Sequence, residues 1–133
     1  MTHLLDSSAF FAFFFDERGR QRVEELLREP AVEVGLAAIT SVEFWARLKA
    51  EGHDEKFEQE WEAHLPLFDQ IIAIDVPLCL KAIELRRAAT GRLPTVDSLI
   101  AATAAAHNAV LVHCDPHFSS IPGHLLKQEL LPE

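Results

Sequence analysis

Positive charge is scarce in this chain of 133 residues: 12 Lys and Arg stand against 21 Asp and Glu, a formal net charge of −9. That balance argues against the commonest kind of nucleic-acid binder, a basic domain held by phosphate contacts. It leaves room for an enzyme whose metal ions meet the phosphates. Long apolar runs are also missing. None approaches the ~20 residues that span a bilayer, so no membrane association is expected. The opening Met1-Thr2-His3-Leu4-Leu5-Asp6 lacks a basic stretch and meets an acid at once, which gives no expectation of a signal peptide. Cysteine is limited to Cys79 and Cys114, in unrelated contexts. That excludes a disulfide framework and points to a reducing compartment, the cytoplasm. There is no internal repeat and no low-complexity linker.

What remains is 49% hydrophobic and 25% charged, ordinary for one globular domain over residues 1–133 with a core that needs no disulfide or structural metal. Short apolar runs alternate with helical patterns. His3–Leu5, Val32–Ile39, Ile71–Ile74 and Ala109–His113 read as strands, and Leu125–Lys127 as an edge strand. Ala9–Phe15, Gln21–Arg28, Thr40–Glu51, Asp54–Leu65, Leu78–Thr90 and Val96–His107 read as helices. Continuous apolar strands separated by helices predict an α/β domain: three layers, with a mostly parallel central sheet flanked by helices.

Sites in open parallel sheets form at the carboxyl ends of strands. Asp6 directly follows Leu4-Leu5, and Asp115 comes just after Val110-Leu111-Val112. Glu43 and Asp97 fall in the first turns of predicted helices, where the helix N-terminus keeps a carboxylate ionised. Each has a structural explanation too. Glu43 completes a Thr40-x-x-Glu43 capping box, Asp97 suits the dipole if Thr95 caps, and Asp115-Pro116 looks like an N-cap followed by Pro. Asp6 is the hardest to explain that way. If all four converge, their repulsion calls for a hard cation, Mg²⁺ or Mn²⁺. Two such ions, roughly 4 Å apart, would clamp the attacking water and the leaving oxygen of a phosphodiester.

The order of these acids resembles the PIN domain, and within it the VapC-type toxins of toxin–antitoxin pairs. Leu4-Leu5-Asp6-Ser7-Ser8 is similar to that family's hydrophobic–Asp–Ser/Thr start, and Thr40-Ser41-Val42-Glu43 to its second block. Leu93-Pro94-Thr95-Val96-Asp97-Ser98-Leu99-Ile100-Ala101-Ala102-Thr103-Ala104 resembles the third, the most specific. Leu111-Val112-His113-Cys114-Asp115-Pro116-His117-Phe118 resembles the last, with His113 where the family has Thr or Ser. The resemblance implies a metal-dependent endoribonuclease with Asp6, Glu43, Asp97 and Asp115 as metal ligands and Ser7 supporting the first. His113 would hydrogen-bond in place of the usual hydroxyl or titrate. It further implies a cognate small antitoxin protein as partner and a homodimer. The alternatives are a PIN-like module that binds RNA or protein without cutting, and a phosphomonoesterase with Asp6 as nucleophile. Ser8 stands where such phosphatases place a second Asp.

Three further features carry expectations. His113-Cys114-x-x-His117 has zinc-like ligands but no second cluster to complete a tetrahedral site. On a helix, Phe11 and Phe15 lie around from the face shared by Phe10, Phe13 and Phe14. Either all are core, or Phe11 and Phe15 line a groove for the antitoxin that the resemblance implies. Arg18, Arg20 and Arg22 form a small basic island that would touch an RNA backbone. The charge surplus itself is local. Setting aside the four proposed ligands and the segment Glu51–Glu62, with its six acids and Lys56, leaves eleven acids and eleven bases.

Overall fold

A computed structural model describes residues 1–132. The strands are β1 (His3–Leu5), β2 (Val34–Ala37), β3 (Gln70–Ile72), β4 (Val110–His113) and β5 (Lys127–Leu130), all parallel, in the order β3-β2-β1-β4-β5. One of the two shortest strands in the sequence reading is thus its centre. Leu5 sits opposite both Leu36 of β2 and Val112 of β4. The chain adds β2 and β3 on one side of β1, then β4 and β5 on the other, so the topological switch point lies between β1 and β4.

Alternation along the strands divides the core. Leu4, Ala37 and Leu111 face helices α5 (Val76–Ala88) and α6 (Thr95–Ala106), meeting Ala82, Leu85, Ile100, Ala101 and Ala104. Leu5, Leu36 and Val112 face α1 (Ser7–Phe14), α2 (Arg20–Arg28) and α3 (Thr40–Ala50), meeting Phe10, Val23, Leu26, Phe44 and Leu48. The expected three layers are present. The alanines of α6 let it lie close to the sheet, and α5 and α6 pack directly on one another.

Three local differences from the sequence reading have clear causes. The Asp54–Leu65 stripe is split into a 3-10 turn, α4 (Phe57–His64) and a second 3-10 turn at Leu65–Leu67 that contains Pro66. Phe57 and Trp61 still stack, 6.2 Å apart, against the α1–α3 core. The edge strand begins at Lys127 rather than Leu125: Leu126 turns into the core and β5 itself is largely polar. Between α1 and α2, Gly19 takes a φ of +100°, and Leu131 packs where a β-carbon would stand.

Candidate active site

Each proposed acid is set by the end of an element. Asp6 caps α1, accepting from Ala9 N at 2.8 Å, so it has a structural role that the sequence did not reveal. Its carboxylate also receives Ser8 Oγ at 2.7 Å and 2.8 Å. The same hydroxyl accepts from Cys114 N at 3.0 Å, tying the end of β1 to the loop after β4. Asp115 caps the 3-10 turn Pro116–Ser120, accepting from His117 N at 2.9 Å. This is the N-cap arrangement expected from Asp115-Pro116.

The capping box at Glu43 does not form. Thr40 is the first helical residue, behind an Ile39 cap position, and makes no side-chain cap. Ser7 Oγ on α1 instead donates to Glu43 Oε1 and lies 3.5 Å from Thr40 Oγ1. Ser7 therefore positions the acid of α3, and Ser8, which the sequence reading passed over as a support, positions Asp6. Thr95 does not cap α6 either; Pro94 occupies that position, which puts Asp97 one residue deeper into the first turn.

The electrostatics join these acids. Burial pushes the Asp6 carboxyl up to about 7, and the charges of Asp115 and Asp97 push the same way, against hydrogen bonds from Ser8 and Ala9. Burial also raises Asp97, to about 6, with Asp115 and Glu43 adding to it and His117 opposing. Asp6 is nearly inaccessible, at 3% exposure. Oxygens of Asp97 and Asp115 and a nitrogen of His117 all lie within 4.8 Å of one another. His117 Nδ1 is 3.1 Å from Asp115 Oδ1 and 3.5 Å from Asp97 Oδ2. Nδ1 is buried, with no hydrogen bond of regular geometry among the described residues. Crowded carboxylates beside a buried imidazole nitrogen fit a divalent cation.

The remaining expectations resolve unevenly. His113 is buried and turned away from the acids. Its Nε2 meets Gln128 Oε1 at 2.9 Å, its Nδ1 accepts from Asp115 N at 3.2 Å, and its ring packs on Phe118. These partners assign the neutral tautomer with the proton on Nε2. Burial holds its pKa below the usual histidine value, despite Gln128 and Asp115. Its ring thus links the Asp115 backbone to Gln128 of β5. His113 and Cys114 do not join His117 in a ligand cluster among the described residues, and both cysteines are free.

Phe11 and Phe15 are half-buried rather than an open apolar groove. The Arg47 guanidinium lies over them, 5.2 Å and 4.0 Å from the ring centroids, and is held by Glu17. Arg20 pairs with Glu24 at 2.7 Å and donates to the Phe13 carbonyl. Arg22 forks onto Glu129 at 2.8 Å and 3.1 Å, fastening α2 to β5. Both are committed within the molecule, which argues against an RNA-backbone role for them; Arg18 is exposed in the turn before α2.

Fold and site together define a three-layer parallel α/β domain with an acidic centre at its switch point. The chain belongs to the PIN domain family, whose model matches residues 3–123. Solved structures share the fold along the whole chain. VapBC2 from Rickettsia felis, bound to a DNA fragment from its promoter, superposes with a TM-score of 0.78 at 20% identity, covering 99% of this chain and 100% of that one. VapBC-1 from nontypeable Haemophilus influenzae gives 0.76 at 17% identity, with complete coverage of both chains. FitAcB from Neisseria gonorrhoeae gives 0.75 at 23% identity, covering 96% of this chain and 97% of that one. No curated protein matches by sequence.

Proposed function

We propose that this chain is a divalent-metal-dependent endoribonuclease and the toxin of a VapBC-type toxin–antitoxin pair. The observation that carries the reading is the gathering of Asp6, Glu43, Asp97 and Asp115 at one end of the sheet, with two of them pushed well above the usual aspartate range. Groups so arranged cost stability unless a cation neutralises them. Bound Mg²⁺ or Mn²⁺ would supply a nucleophilic hydroxide near neutral pH and neutralise charge on the phosphodiester.

The residues supply the rest. Asp97 and Asp115 would hold the cation through their carboxylate oxygens. Asp6, held by Ser8 and Ala9 N, is fixed at the adjacent strand end with little freedom to reorient. Ser7 does the same for Glu43. We assign no dedicated general base among the described residues, so water activation would fall to the bound cation. Products would carry 5′-phosphate and 3′-hydroxyl ends.

The antitoxin partner is supported by a toxin–antitoxin complex from Klebsiella pneumoniae and a VapBC toxin–antitoxin structure from Mycobacterium tuberculosis among the similar structures, with Phe11, Phe15 and Arg47 as the surface on this chain. A homodimer would use α5, which leaves Val76, Leu80 and Ile83 exposed as an apolar stripe. We place the protein in the cytoplasm: its cysteines are free, and no helix of the described residues is long and apolar enough to cross a membrane.

The test is cleavage of RNA in Mg²⁺ or Mn²⁺. Asp6→Asn and Asp97→Asn should each lower the rate at least a hundredfold, on the scale at which such groups act. Variants that cut as fast as the parent would overturn the nuclease assignment. RNA retention without cleavage by the parent would favour the binding-module alternative.

A further inference from the structure

We infer that His117 Nδ1 is a nitrogen ligand to the cation held by Asp97 and Asp115, and that it tilts the site toward first-row transition ions over Mg²⁺. This rests on the metal-centre reading above. In the final block the resemblance assigns a ligand role to Asp115 alone; His117, two residues on, was otherwise part of a zinc-like pattern whose His113 and Cys114 do not join it in a cluster among the described residues.

The geometry suits a shared ion. Two atoms bound at adjacent positions of one ion, each at about 2.1 Å, lie about 3 Å apart. His117 Nδ1 stands 3.1 Å and 3.5 Å from one oxygen each of Asp115 and Asp97. Its backbone N–H donates to Asp115 Oδ1 at 2.9 Å, which sets the ring at the start of the 3-10 turn. The ring is 42% exposed overall, yet Nδ1 is the buried atom and points among the carboxylates. An imidazole nitrogen is a better ligand for first-row divalent ions, weakest for Mn²⁺ and stronger along the series, than for Mg²⁺, which keeps to oxygen and water. Adding His117 to two carboxylates therefore changes which ion the site prefers.

Mn²⁺ added to the metal-free, full-length protein serves as the probe. Pulsed electron paramagnetic resonance should show hyperfine coupling to one imidazole nitrogen, moved by isotopic labelling of histidine. His117→Gln should lose that coupling and bind Mn²⁺ about tenfold more weakly by calorimetry, with a smaller change for Mg²⁺. A cooperative melt like the parent's separates ligand loss from misfolding, and the coupling in the unaltered protein decides the matter without the variant. Mn²⁺ bound with no nitrogen coupling, or coupling that persists in His117→Gln, overturns this inference and leaves the metal centre standing. If the unaltered protein binds no Mn²⁺, both fall.

Discussion

The two serines after Asp6 have separate tasks, and the division could not be read from the motif. Ser7 reaches an acid thirty-six positions away; Ser8 turns back on Asp6 and forward to the Cys114 amide. Removing the Ser8 hydroxyl leaves a buried carboxylate with one donor fewer and an amide without its acceptor. Ser8→Ala should cost about 1–3 kcal/mol in chemical denaturation, raise the Asp6 pKa further, and slow RNA cleavage most below neutral pH. An unchanged denaturation midpoint together with an unchanged rate would show that the serine holds nothing in place. The four acids were legible because each stands beside a local marker: a strand end, a helix start or a following proline. Their supports were not, because they come from distant segments or, like the ring of His113, replace a hydroxyl with different chemistry.

Among elements, buried strands and amphipathic helices were readable from apolar runs, and the edges were not. β5 has no fully buried residue, and its place is set by pairing with β4 and by the fork from Arg22 to Glu129. Neither leaves a periodic trace in Lys127–Leu130. The same fork explains why a basic island in sequence is a fastener in space. On α1, Phe10 is wholly enclosed against Phe44, 5.1 Å away, whereas Phe11 and Phe15 stand under Arg47. Phe11→Asp or Phe15→Asp should therefore weaken capture by the cognate antitoxin more than it unfolds the domain. Thermal melts and pull-down of the co-expressed pair measure both effects. Loss of the cooperative transition in these variants would assign both rings to the core.

For the whole molecule, the acidic centre predicts a coupling among pH, metal and stability. Asp6 and Asp97 hold protons up to about 7 and 6 in the folded state, above the ordinary aspartate value of 3.8. The folded protein thus keeps protons that the unfolded chain has released. The associated stability is fully present below the ordinary value and lost as pH rises through 6 and 7. Without metal, the melting temperature should fall between about pH 5 and about pH 8, and the fall should be smaller in Asp6→Asn. Added Mg²⁺ or Mn²⁺ should restore it at the higher pH and do little at the lower. Calorimetry with and without a chelator checks this, and a metal effect equal at both pH values would argue against a carboxylate centre.

The strand order has a consequence in time. β1 emerges first during synthesis, but its second neighbour, β4, begins only at Val110. Until that strand is made, β1 has an unpaired edge, Ser8 lacks its amide, and Asp6 lacks Asp115. Asp97 is also late, on the helix just before β4. A growing chain therefore carries an incomplete centre until β4 and the loop after it have been made. Whatever chemistry the finished domain performs is withheld from the ribosome that makes it until nearly the last strand is laid down.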